Sequence, residues 1–305
     1  MPAADARHVM RQGRAIAALA ATALRALGKR RRAGAAPPSL PGPELTARVP
    51  APAPALVHDF VRDAGGDPDA YRATVPPHMF PQWSLALAAR TLWTLPHPLL
   101  RMMNAGCRLE ILAPLPASER FAVRARLAGI DDNGRRAVLH QRVITGTDAH
   151  AEALVADLYL VVPSAARSAG ARAEAVSAAP RPRESALVPA AARELGRWTL
   201  GRHAGLTFAA LTGDFNPVHW LRPYARAIGL PGTILHGFGT LARALEGLNR
   251  AQFGGAVDRL RVVDARFLRP LALPAHVGLY VDRARFFVGE APGAPAYLAG
   301  SFEER

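Results

Sequence analysis

The sequence predicts an α+β protein built from one unit used twice. A helical stretch free of breakers is followed by a run of strand-like segments, once after Trp83 and again after Gly237. Two tracts rich in Ala and Pro, 33–55 and 164–187, bracket the first run and separate it from the second. Half of the 305 residues are apolar, enough for two cores of ordinary size. Helix first and antiparallel strands after, twice over, suggest sheets that each wrap one helix. The halves share no visible sequence identity, so the order of elements carries this reading.

The chain opens with residues 1–55, a basic amphipathic segment and then the Pro-rich tract. Ile16, Leu19, Ala20, Ala23, Leu24 and Leu27 recur at helical spacing, with Arg11, Arg14 and Arg25 on the other face and Gly28 as a stop. Ala15–Leu24 is too short to cross a bilayer. Arg25 and the run Lys29–Arg32 argue against a secretory signal. Two readings stay open: a helix lying on an anionic membrane surface, and a basic tail.

The first unit, 56–163, has a helix over Trp83–Leu95 introduced by "VPPHMFPQ". Strand-like runs follow at Cys107–Ala113, Phe121–Gly129, Ala137–Gly146 and Ala153–Val162, with Asp132, Asn133 and Gly134 supplying a hairpin turn. The second unit, 188–305, has a helix from Gly237, where Phe238, Leu241, Ala242, Leu245 and Leu248 define one buried face. Its strand-like runs are Arg259–Leu268, His276–Val281, Ala284–Val288 and Tyr297–Phe302.

The formal charge is +14, but residues 1–32 hold +7 of it. Lys29 is the single lysine, and arginine used this way beside abundant Ala, Pro and Gly reads as codon bias. No dense basic stripe with interleaved aromatics remains, so no nucleic-acid partner is expected. The mild positive balance suits a ligand with phosphates, such as coenzyme A, or an acidic carrier protein. One cysteine, Cys107, excludes a disulfide within the chain and any multi-cysteine metal site.

The stretch "LTGDFNPVHW", Leu211–Trp220, concentrates the chemistry. A tight turn calls for Gly, Asp, Asn and Pro, but not for the histidine. Asn216 and Pro217 fix the turn, so Asp214 and His219, five residues apart, can face one water. Gly237 then opens the buried helix, where a free first-turn N–H and the helix dipole suit a developing oxyanion. His236 reads as a brace at the helix entry, Thr212 as a bond to the turn backbone, and His58, His140, His150 and His203 as surface residues.

Phe208, Gly213, Asp214, Asn216, Pro217, His219 and Ala225 match, position by position, the signature of the MaoC-like (R)-specific enoyl-CoA hydratases, or hydratase 2 family. "ILHGF" at Ile234–Phe238 matches a second stretch of that family at the right distance. "VPPHMFPQWSLALAART" and "TLPHPLLRM" resemble, more loosely, the degenerate half of its double hot-dog members. The resemblance implies a double hot-dog fold, two antiparallel sheets each around a central helix. It implies reversible addition of water to a trans-2-enoyl thioester, with Asp214 and His219 catalytic, Gly237 and Asn216 on the oxyanion and substrate side, and neither metal nor redox cofactor. The substrate is then an acyl-CoA or acyl-carrier-protein thioester, the protein cytoplasmic, and a homodimer allowed by edge-to-edge pairing. The first unit lacks both motifs, so one site per chain is expected. Phe238, Trp220 and Trp83 are candidates for the acyl pocket; Phe80, Leu87 and Leu92 line the acyl tunnel or belong to the core. Phe238 and Trp220 are bulkier than the family pattern leads one to expect. The same resemblance leaves open a 3-hydroxyacyl-carrier-protein dehydratase and a non-catalytic thioester-binding scaffold.

Overall fold

The structure, a computed structural model, describes residues 6–28, 39–95, 97, 102–163 and 187–305. The basic run Lys29–Arg32, the first Pro-rich tract up to residue 38 and the tract 164–186 lie outside the described residues.

The chain starts with helices α1 (Ala6–Arg11) and α2 (Gly13–Gly28). The linker predicted over 33–55 needs correction: Leu45–Pro50 is strand β1 and Pro54 already begins α3 (Pro54–Ala64). The side chains of β1 alternate between half-buried and exposed, a period-two pattern that the surrounding prolines mask. β1 is an edge strand, where a terminal Pro50 costs no ladder bond. α3 buries Leu56, Val57, Phe60 and Val61 and ends on Gly65, whose φ of 83° closes the helix in the left-handed conformation. α4 (Pro81–Thr91) is the central helix of the first half, four residues shorter at its C-terminal end than predicted.

Strands β2 (Met103–Ile111), β3 (Arg120–Asp132), β4 (Arg136–Gly146) and β5 (Leu154–Pro163) complete the first half. Asp132 accepts the Gly134 N–H at 2.9 Å in the β3–β4 turn. The second half has β6 (Arg193–Leu200), which the sequence reading missed, then α5 (Ala204–Thr212), α6 (Arg222–Ala227), β7 (Ile234–Leu235) and α7 (Gly237–Ala251). β8 (Leu260–Phe267), β9 (Leu271–Ala272), β10 (Ala275–Asp282), β11 (Arg285–Gly289) and β12 (Leu298–Glu304) follow.

Among the described residues the two sheets run together as one antiparallel sheet of ten strands, ordered β1-β3-β4-β5-β2-β8-β12-β11-β10-β6. Read from each outer edge inward, the halves have the same topology: β1-β3-β4-β5-β2 against β6-β10-β11-β12-β8. A central helix precedes the innermost strand of each half in the chain, α4 before β2 and α7 before β8. The halves meet where β2 pairs with β8, and Gly106 lies so close to the Ala265 carbonyl that no Cβ fits there. Trp83 anchors α4 in the first core: its ring sits 5.2 Å from Phe121 and its Nε1–H donates to Thr145 Oγ1 at 3.1 Å.

The N-terminal helices dock on the body. His8, Gln12, Ala15 and Ala18 are buried, while Ile16 and Leu19 are half-buried and Ala20 is exposed; the side chains of Ala23, Leu24 and Leu27, the rest of the predicted apolar face, lie outside the described residues. The contacts are polar and reach both halves. His8 Nε2 lies 2.8 Å from Asp59 of α3, and Trp93 just after α4 donates to Thr22 Oγ1 at 2.9 Å. Gln12 accepts from Gln82 of α4 at 3.2 Å and donates to the Leu211 carbonyl of α5 at 3.0 Å. No helix among the described residues is long and apolar enough to cross a membrane.

Candidate active site

The site is built where α5 stops. Gly213 takes φ 84°, returns its N–H to Ala209 at 2.7 Å and turns the chain out of the helix. A Cβ at Gly213 would sit 2.7 Å from Ala15 Cβ, so the N-terminal helix backs this turn directly. Asp214 Oδ1 accepts the Asn216 N–H at 3.3 Å, and Asn216 Oδ1 accepts the Val218 N–H at 3.3 Å, starting a 3₁₀ turn over Pro217–His219. Trp220 bridges the outside of the turn through Nε1–H to the Phe215 carbonyl at 3.1 Å.

Two imidazoles tie this turn to the entry of α7. His219 Nδ1 donates to the Ile234 carbonyl at 2.9 Å, and His236 Nε2 donates to the Asp214 carbonyl at 2.9 Å. Both partners are acceptors only, so each bond fixes which nitrogen carries the hydrogen. His219 therefore keeps the lone pair of Nε2 for the site. The two rings stack with centroids 3.4 Å apart and an interplanar angle of 20°. Oxygen and nitrogen atoms of Asp214, His219 and His236 lie within 4.8 Å of one another. That span lets one water reach both Asp214 and His219 at ordinary hydrogen-bond lengths of ~2.8 Å.

Burial pushes His219 below the usual histidine range, while the Asp214 carboxylate pulls it back up. Burial, and then the neighbouring His219, holds His236 well below that range. Both rings are thus neutral near pH 7. The Asp214 carboxylate is part-exposed, so the site opens to solvent on that side. The same three residues are close enough to offer ligands to one small cation. Each imidazole gives one N–H to a carbonyl and keeps its other ring nitrogen free.

The other candidates separate. Gly237 opens α7, with Phe267 packed so close that a Cβ would meet its ring at 2.7 Å. Phe238 lies edge-on between Phe80 at 5.3 Å and Phe267 at 5.5 Å, so Phe80 reaches across from the first half to the site's flank. Trp83 belongs to the first core, bonded to Thr145, and Trp220 faces solvent at 42 % exposure. Leu87 and Leu92 are buried core residues. Asn216 directs its side-chain oxygen to the turn. Thr212 donates to the Phe208 carbonyl at 2.8 Å, a backbone role. His140 is no free surface group: its Nε2 lies 2.7 Å from Asp157.

The first half repeats the construction without its chemistry. α3 ends on Gly65 at φ 83° as α5 ends on Gly213 at 84°. Asp67–Pro68 opens a 3₁₀ turn with Asp67 Oδ1 accepting the Asp69 N–H at 3.0 Å, as Asn216–Pro217 does. His78 precedes α4 as His236 precedes α7. At the turn's last position stands Tyr71, not histidine, and its hydroxyl donates to Glu246 of α7 at 2.8 Å. Asn249 Nδ2 donates to the same hydroxyl at 2.9 Å, and His78 Nε2 lies 3.0 Å from Glu246. Side chains of the second half's own helix thus bond the residues that stand at these positions.

Comparison with known proteins agrees with this architecture. Residues 193–286 match the model of the MaoC like domain. The chain is 40% identical over 74 residues to 3-hydroxyacyl-thioester dehydratase X of Mycobacterium tuberculosis, covering 24% of this chain and 25% of the relative. It is 24% identical over 163 residues to the peroxisomal enoyl-CoA hydratase 2 of Arabidopsis thaliana, covering 52% and 53%. The match thus spans a quarter to about half the length of these curated relatives. Crystalline HtdX of Mycobacterium tuberculosis superposes with a TM-score of 0.65 at 18% identity, over 86% of this chain and 100% of that one. Residues 193–286 thus resemble a MaoC like domain, and the chain as a whole has the double hot-dog fold of these solved structures.

Proposed function

We propose that this chain adds water reversibly across the double bond of a trans-2-enoyl thioester to give the (3R)-hydroxyacyl thioester. One observation carries the reading. One ligand atom each of Asp214 and His219 lies within 4.8 Å of the other, a span that one water could bridge, on a turn that two imidazole–carbonyl bonds tie to the entry of α7 at Gly237. Water is a poor nucleophile, and a positioned base typically contributes ~10²–10⁴-fold. A water that donates one hydrogen to the carboxylate and one to His219 Nε2 keeps a lone pair for C3. As the C3–O bond forms, one water proton passes to the pair. The double-bond electrons shift toward the thioester oxygen, and a proton is returned to C2, so one water is consumed. The N–H of Gly237, a first-turn donor backed by the helix dipole, suits the oxyanion; one such donor is typically worth ~2.7–4 kcal/mol of barrier. The names of the two curated relatives describe the two directions of such a reaction.

The test follows the absorbance of crotonyl-CoA with the purified chain and the configuration of the product. Turnover to the 3R product, lost in Asp214→Asn and His219→Gln, is expected. Thioester binding without turnover would leave the scaffold reading.

A further inference from the structure

We infer that Gln12 is a positioning residue for the reaction: the N-terminal helices hold the backbone at Gly213 and so set where Asp214 meets its water. This rests on the hydratase reading and adds to it an element from outside residues 193–286, the stretch that resembles the MaoC like domain. α5 is capped from far along the chain. Its last residues, Ala209 to Thr212, are buried, so the carbonyls left over at its end must find partners inside the protein. Gln12 is itself buried, and its Nε2–H donates to the Leu211 carbonyl at 3.0 Å. Gly213 follows with φ 84°, and a Cβ there would meet Ala15 Cβ at 2.7 Å and Gln12 Oε1 at 3.3 Å. Glycine is thus required twice over, for the left-handed conformation and for the close approach of the N-terminal helix.

The helices that form this wall are held in turn by the first half. Gln12 Oε1 accepts from Gln82 of α4 at 3.2 Å, Trp93 donates to Thr22 Oγ1 at 2.9 Å, and His8 lies 2.8 Å from Asp59 of α3. One side chain, Gln12, therefore joins α4 of the half without the motif to the end of α5 in the half that carries it. Asp214 stands between two supports. His236 holds its carbonyl at 2.9 Å, and the residue before it is backed by Gln12 and Ala15. Gln12 bonds to Leu211 and Gln82, neither of which takes part in the proposed chemistry, so it acts through the turn rather than on the substrate. A misplacement of ~1 Å in a positioned group can cost ~10²-fold in rate.

The test uses the full chain on crotonyl-CoA with three variants, each assayed well below its own measured Tm. Gln12→Met keeps the length of the side chain and deletes both bonds. Ala15→Val presses a methyl group toward Gly213, and Ala17→Val makes the same change at an exposed position of the same helix. Gln12→Met and Ala15→Val should lower kcat by about 10–100-fold with KM changed less than about 3-fold, while Ala17→Val keeps the wild-type values. A lowered Tm with full kcat in Gln12→Met would make the helix a stabiliser only. A raised KM at unchanged kcat would make it part of the binding surface, and equal losses at Ala15 and Ala17 would remove the wall behind Gly213; each of these overturns the inference. If wild type does not turn over crotonyl-CoA, the hydratase reading fails, and positioning is read from hydrogen exchange. The Asn216 N–H donates to Asp214 Oδ1 at 3.3 Å, so its exchange reports how firmly the carboxylate is held. Faster exchange there in Gln12→Met than in Ala17→Val supports positioning, and equal exchange overturns it.

Discussion

His236 is the residue whose removal separates the site's geometry from its chemistry. It touches no reacting atom in the proposed reaction, yet its Nε2–H holds the Asp214 carbonyl at 2.9 Å and its ring lies under His219. His236→Phe keeps an aromatic ring between Phe208, 4.9 Å away, and His219, while deleting the bond. Leaving a carbonyl without its partner costs about 1–3 kcal/mol. If the turn relaxes and that loss falls wholly on the transition state, kcat drops about 5–150-fold. If it falls on folding, Tm drops about 2–4 °C for each kcal/mol in a chain of this size. Steady-state kinetics on crotonyl-CoA and calorimetric melting read both. A fall in kcat with KM nearly unchanged is expected. A lowered Tm with full turnover would reduce His236 to a brace of the fold and refute the locking argument.

Other consequences concern pH and packing. The folded pKa of His219 lies below the unfolded value, so the unfolded chain binds the extra proton first on acidification. Stability from this group is complete above about pH 6.5 and is lost as pH falls from there toward the folded value. The melting curve of His219→Gln should therefore be flatter than wild type below pH 6.5; a steeper one contradicts the burial argument. For the same reason the acid limb of kcat/KM should lie below pH 6.5, and one above it would exclude neutral His219 as proton acceptor. Gln12→Ala removes the bond to the Leu211 carbonyl at the end of α5 and should cost about 1–3 kcal/mol in urea melts, with a matching loss of turnover. Unchanged stability would mean that the N-terminal helix is not docked. Gly106→Ala forces a Cβ against the Ala265 carbonyl where the halves join, and should lower Tm more than Gly201→Ala, whose Cβ would meet open space. The reverse order would contradict the seam.

The sequence showed most where local chemistry and tertiary role coincide. The helix at Gly237 carries an apolar stripe although it is buried nearly all round, its polar Arg243, Glu246 and Asn249 being paired with the first half, and the Asp214–His219 turn is written in residues that turns demand. β1 was hidden because its alternation runs through prolines, and an edge strand tolerates them. β6 escaped because "RELGRWTL" is polar: its side chains are mostly exposed or half-buried at the opposite edge. The repeat of Gly65, Asp67, Pro68 and His78 in the first half could not be read, since one residue fewer separates glycine and proline there and Tyr71 replaces the histidine. Its meaning appears only when α7 supplies Glu246 and Asn249 from far along the chain. The N-terminal helix misled for a related reason: it docks through His8, Gln12, Ala15 and Ala18, while Ile16 and Leu19 are only half-buried.

Whether a carboxylate and an imidazole act on one water as a unit is tested most directly by a double-mutant cycle of Asp214→Asn and His219→Gln, read as kcat on crotonyl-CoA. Each single change should lose about 10²–10⁴-fold, and the double should lose little more than the worse single, because either removal already releases the water. Losses that multiply would mean two independent roles, and a near-wild-type rate in either single variant would contradict the shared water altogether.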